Sequence, residues 1–227
     1  MLFNFKHLNK ENIPEPLTKE GMDWMQSYSF TKQTKIWVET KYHNPEYLLW
    51  LETIGLSITD IELFLNPANH SMPIHIDGNE LHDEFKLNFA YNPRGNSLMN
   101  WFSPHKEAKA KREGVLYANQ DARPINTKDL YWYPEEVDLI DSADIDVAIV
   151  QVGQPHNVKT TFSPRRCLSC VFDKILIKDV FTTNEAILKG MPLETIAIER
   201  DKAVDAKILQ NIVTMPEAIE LFKDYII

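Results

Sequence analysis

In the segment MPIHID, His75 and Asp77 stand two residues apart. On a β-strand that spacing projects both side chains from one face, so an imidazole and a carboxylate can grip one ion together. They supply two of the three ligands of a facial triad, which holds a non-haem iron(II) ion and leaves positions open for substrate and dioxygen. The third ligand must be a histidine from a later strand that folds back beside the first. His156, in QPHNVKTTF, lies 79 residues beyond Asp77, which leaves chain for the intervening strands. His82-Asp83-Glu84 offers a competing H-x-E pair, whereas His70 sits among Asn66, Pro67 and Asn69 and reads as a turn residue. Taken singly, His75 and Asp77 also read as an ordinary exposed pair on a strand, and His156 as a polar residue after Pro155. The combination is what points to a metal centre.

With Arg166 ten positions after His156, the order of residues resembles the iron(II)- and 2-oxoglutarate-dependent dioxygenases. That family carries H-x-D, a distal His and a later basic residue on a double-stranded β-helix, a form of jelly roll. The resemblance covers residues 58–172. It implies that His75, Asp77 and His156 bind Fe(II) as the catalytic centre, that 2-oxoglutarate chelates the metal, and that Arg166 holds the far carboxylate, with O2 as second co-substrate. An arginine suits that task because its planar fork accepts a carboxylate bidentately, each charge-assisted hydrogen bond contributing roughly 1.5–3 kcal/mol. Asn88 and Tyr91 are the implied polar contacts to the co-substrate, although residues three apart on a strand face opposite ways. Leu168 stands where many members carry serine, with Ser169 beside it, which leaves Arg165 as the alternative to Arg166. The implied reaction couples decarboxylation of 2-oxoglutarate to hydroxylation of a C–H bond in an amino-acid side chain or small metabolite. A cupin-like metal protein without 2-oxoglutarate and a non-catalytic jelly-roll module are the other classes that such a pattern admits.

These residues must be positioned by strands. From Ile58 onward short apolar runs alternate with turn residues: ITDIELFL, MPIHID, FKLNFAY, SLMNWF, GVLYA, DLYWY, DVAIVQV, NVKTTF and RRCLSCVF. Separators such as Asn66-Pro67, Asp77-Gly78, Asn92-Pro93-Arg94-Gly95 and Ser163-Pro164 carry turn chemistry. Strands at this spacing without intervening helices predict a sandwich or barrel. Before them, Leu17–Tyr28 and Asn44–Leu56 read as helices around a strand TKIWVET, with Asn44 as cap, Pro45 in the first turn and Tyr47, Leu48, Leu51 and Ile54 as an apolar stripe. After them, Thr183 caps a short helix ended by Gly190, Val204, Ile208 and Ile212 share a helical face, and Pro216 opens a last helix. The expected organisation is mainly β with flanking helices (α+β): a helix/strand segment over 1–57, a double-stranded β-helix core over 58–180 and a helical extension over 181–227.

Composition narrows the classes. The seven glycines are nowhere closer than 17 residues, so a phosphate-binding loop, a dinucleotide fingerprint and a nucleophile elbow are all excluded. A net charge of −9 disfavours nucleic acid and anionic membranes, and HKEAKAKR (His105–Arg112) reads as a solvated loop or helix end. No apolar run approaches membrane-spanning length and MLFNFKHLNK lacks a signal-peptide core, so a cytoplasmic protein acting on a small molecule or protein side chain is expected. Cys167 and Cys170, three apart on one strand, point to opposite faces and read as two buried thiols, not as a redox or zinc pair.

Overall fold

The computed structural model describes residues 3–77, 81, 83–108, 111–112, 118–119, 130–174, 183–191, 195 and 213–227. Along them run β1 (Phe5–His7), α1 (Lys19–Ser27), β2 (Thr34–Trp37), α2 (Pro45–Thr53), β3 (Leu56–Asn66), β4 (Ile74–His75), β5 (Phe85–Tyr91), β6 (Ser97–Pro104), β7 (Lys111–Arg112), β8 (Ala118–Asn119), β9 (Leu130–Trp132), β10 (Val137–Ala143), β11 (Val147–Gln151), β12 (His156–Thr160), β13 (Arg165–Lys174), α3 (Thr183–Leu188) and α4 (Met215–Leu221). Within the described residues the chain is mainly antiparallel β with flanking helices. No helix among them is long and apolar enough to cross a membrane.

The helices start where their caps dictate. Thr18 Oγ1 accepts from the Gly21 amide at 3.2 Å to open α1, and Asn44 Oδ1 accepts from the Glu46 amide at 3.1 Å ahead of Pro45 in α2. Each satisfies a backbone donor that the first helical turn leaves without a partner. Gly190, at φ 73°, ends α3 in the left-handed conformation that a residue without Cβ adopts freely. The expected helix carrying Val204, Ile208 and Ile212 lies outside the described residues, as do His82, Gly78 and most of GVLYA.

The strands form two sheets, one ordered β1-β11-β5-β13-β3-β2-β8 and the other β10-β6-β12-β4-β9-β7. The first is buried on both faces. Leu63 and Leu65 of β3, Leu87 and Phe89 of β5, Ile149 of β11 and Leu168 and Cys170 of β13 pack toward Met25 of α1, Leu48 and Leu51 of α2, Ala186 of α3 and Met215 and Ala218 of α4. The alternate residues face the second sheet, where Ala148, Val150, Met99, Trp101 and Val158 make a smaller core. Double burial explains why β3 and β5 read as near-continuous apolar runs. It also singles out the charges inside them, Glu62 and Lys86, which are both buried.

Three strands, β1, β7 and β10, were not foreseen. β1 has only three residues, and β10 has the sequence VDLIDSA, whose four central-to-late positions Asp138, Leu139, Ile140 and Ser142 are exposed. At the edge of its sheet, bulged between Leu139 and Asp141, β10 is held by backbone pairing with β6 and needs no apolar alternation. At the end of His105–Arg112, read as a loop or helix end, Lys111 and Arg112 instead pair with Tyr131 and Leu130 of β9.

Candidate metal centre

Strand pairing brings the expected ligands together. His75 of β4 is directly opposite His156 of β12, so the two side chains share a face and their rings lie 4.6 Å apart, tilted by 44°. Asp77 lies two residues past His75, just beyond the strand, where its amide donates to the Val152 carbonyl at 3.0 Å. Its Oδ1 is 3.6 Å from His75 Nε2. One ligand atom from each of His75, Asp77 and His156 falls within 4.8 Å of the others.

Both imidazoles are oriented in the same way. His75 Nδ1 lies 2.9 Å from the Pro73 carbonyl and His156 Nδ1 2.9 Å from the Gln154 carbonyl. A carbonyl can only accept, so each Nδ1 carries the proton and each Nε2 keeps its lone pair for a metal. Burial pushes the His156 imidazole down to about 4, so the ring is neutral at pH 7. For Asp77 burial acts upward, but the Lys86 ammonium, followed by the two imidazoles, outweighs it and holds the carboxyl well below its usual range. A neutral His156 imidazole and an ionised Asp77 carboxylate are protonation states that divalent metal binding requires.

Lys86 ties this centre to a buried charge chain. Its Nζ is 2.7 Å from Asp77 Oδ2 and 2.7 Å from Glu62 Oε2, while Lys35 pairs with the other Glu62 oxygen. Burial lowers the ammonium's pKa, but Asp77 and Glu62 more than compensate and hold it well above its ordinary value. Burial of one such charge unpaired would cost several kcal/mol, so the alternation of signs is what lets Glu62 and Lys86 occupy the inner face.

The cavity at the centre is lined by Phe64, Met72, Asn88, Met99, Val152, Val158, Arg165, Cys167 and Ser169 together with the three ligands. Asn88 is therefore present, its Oδ1 accepting from Ser169 Oγ at 2.7 Å. Arg166 is not. Position parity along β13 turns Arg165, Cys167 and Ser169 inward and Arg166 outward, where its guanidinium donates to the Met25, Gln26 and Tyr28 carbonyls at the end of α1 and stacks on Phe30. This corrects the expected arginine: Arg165, buried and with no hydrogen-bond partner for its Nε among the described residues, is the one beside the ligands. Tyr91 is likewise elsewhere, three residues from Asn88 and so on the other face, with its hydroxyl donating to Glu15 Oε2 at 2.6 Å.

Of the rival ligands, His70 Nε2 lies 2.7 Å from Gln33 Oε1, outside the cluster. Of the H-x-E pair, His82 lies outside the described residues, and Glu84 pairs through its backbone with Thr214 and accepts from the Val152 amide at 3.0 Å, outside the cluster. Cys167 and Cys170 are free, buried and on opposite faces, one in the cavity and one in the helix-facing core, where burial pushes the Cys170 thiol up to about 12. Sequence reasoning passed over Lys86 and Glu62, though charges of opposite sign inside two largely apolar strands were a readable signal. No protein-family model matches the sequence, and no curated protein matches it.

Proposed function

We propose that this chain is a non-haem iron(II) oxygenase that consumes 2-oxoglutarate and hydroxylates an amino-acid side chain or small metabolite, on a core of the double-stranded β-helix kind. The observation that carries the reading is the convergence of His75, Asp77 and His156 in a cavity that also contains a buried arginine with a free Nε. The fold supports it: β11-β5-β13-β3 and β10-β6-β12-β4 divide eight strands equally between two sheets, as a jelly roll requires.

The residues fit a metal, with His75 and His156 offering Nε2 and Asp77 offering Oδ1. Iron(II) bound there would supply the dioxygen chemistry that amino-acid side chains lack. Arg165 takes the far carboxylate of the keto acid in place of Arg166, and Asn88 and Ser169 offer neutral polar contacts beside it. Phe64, Met72, Met99, Val152 and Val158 wall the centre from water, which strengthens the ion pairing within. The cavity is about 40 Å³, a space that an ion and a few waters would fill. Admission of a five-carbon dicarboxylate requires side chains to yield, and the unbranched Met72 and Met99 are suited to it.

That small volume favours a second reading, a cupin-like metal centre that takes no keto acid. Anaerobic titration with iron(II) and 2-oxoglutarate separates the two, because bidentate chelation by a keto acid produces a weak visible charge-transfer band. A band supports the oxygenase. A flat difference spectrum with iron confirmed bound overturns it in favour of the second reading. Succinate release above the uncoupled rate then ranks candidate substrates.

A further inference from the structure

The two oxygens of Asp77 have different neighbours. Oδ1 lies toward His75 Nε2 at 3.6 Å, while Oδ2 is 2.7 Å from Lys86 Nζ. Lys86 is 6% exposed and sits near the start of β5, paired to Val150 of β11, so its backbone has little freedom. Its ammonium is shared with Glu62 Oε2 at 2.7 Å, and Glu62 is held in turn by Lys35. Withdrawal of Lys86 from Asp77 would leave a buried ammonium and a partly buried carboxylate each short of a partner, which makes the contact persistent.

We infer that Lys86 is a positioning residue that confines Asp77 to metal ligation through a single oxygen. The inference rests on the metal-centre reading above. A carboxylate becomes a bidentate ligand only when the ion approaches both oxygens alike, and a fixed ammonium on Oδ2 repels a cation from that side. Two imidazoles and one carboxylate oxygen occupy three positions of a six-coordinate ion and leave three for exogenous ligands. Freed from Lys86, Asp77 turns both oxygens to the metal and closes one of those positions. Lys86 therefore sets how many ligands the centre can accept, without touching the ion.

The test counts metal-bound waters on the Mn(II)-loaded protein, using line broadening of the Mn(II) resonance by oxygen-17 water, with affinity measured in parallel. Three waters are expected in the unmodified chain and two in Lys86→Met, with Mn(II) bound at least as tightly because a competing cation is gone. Glu62→Gln, which leaves the contact between Lys86 and Asp77 in place, should keep three. Lys86→Arg, which restores a cation at Oδ2, should also keep three. Equal counts in the unmodified chain and Lys86→Met overturn the inference, and so does a loss of one water in Glu62→Gln. If Lys86→Met does not fold, as judged by circular dichroism, the charge-balanced Glu62→Gln/Lys86→Met double variant is read against Glu62→Gln by the same criterion. Failure of the unmodified chain to bind Mn(II) at all would instead overturn the metal-centre reading itself.

Discussion

Two imidazoles separated by most of a domain's sequence are given the same tautomer by the same device, a carbonyl two residues upstream of each. Because both Nε2 atoms are committed to the centre, His75→Ala removes a ligand without freeing a neighbour to replace it. The variant should lose iron on dialysis and lack the metal-dependent rise in Tm expected of the unmodified chain, a rise that would follow from binding to the folded state alone. Stoichiometric iron retained by His75→Ala would reject the assignment. At the arginines the outcomes should divide. Arg165→Ala is expected to raise the apparent KM for 2-oxoglutarate at least tenfold, since an unpartnered buried carboxylate loses on the order of 2–4 kcal/mol. Arg166→Ala should leave KM nearly unchanged and lower Tm, because its guanidinium serves the last carbonyls of α1. Steady-state kinetics and a melt on both variants check the pair, and the opposite division would return the role to Arg166.

The helices and the doubly buried sheet are fastened at a few polar points. Asn184, fully buried in α3, accepts from the Ile58 amide at 2.8 Å and donates to the carbonyls of Leu48 and Leu56 at 3.1 and 3.2 Å. One side chain thus joins α3, the middle of α2 and the start of β3. There the register of β3 and β13 slips between Val171 and Phe172, leaving Ile58 and Ile61 on the same face of the core. Asn184→Ala strands a buried amide and two carbonyls and should destabilise by about 2–4 kcal/mol in chemical denaturation. A loss under about 1 kcal/mol would show that water replaces the side chain there. Mn(II) affinity should be little affected in the folded fraction, since the contact lies on the helix face of the sheet and the ligands on the other.

For the molecule as a whole, acid stability carries a readable signature. Burial pushes His43 down to about 4 from its ordinary 6.5, opposed only by donation from Nε2 to the Val38 carbonyl at 3.2 Å. The unfolded chain therefore takes up this proton first as the pH falls. The stabilisation is complete above about 6.5 and is lost progressively toward 4. Between pH 7 and pH 5 the loss from this one group is about 2 kcal/mol. His43→Gln keeps a donor for Val38 and removes the titration. Urea denaturation at the two pH values should show a pH dependence smaller by about that amount in the variant. Equal slopes in both proteins would place the acid sensitivity elsewhere.

What the sequence by itself determined was the set of elements and the ligand types. Turn residues between apolar runs, the caps at Thr18 and Asn44, and the spacing of His75, Asp77 and His156 are local chemistry, legible wherever φ/ψ preference or side-chain parity decides the outcome. An edge strand such as β10 escaped because backbone pairing, not apolar alternation, holds it. Tertiary structure alone decided which face of each strand looks inward. Parity along β13 relates Arg165 to Ser169 and separates both from Arg166, but the choice between the two faces depends on what packs against each. The helices claim one face with Leu168 and Cys170, leaving the other, with Arg165, for the centre. The same packing placed Lys86 and Glu62 side by side across the sheet from 24 residues apart. No spacing rule foretells that contact, because the register between strands is set by everything buried around them.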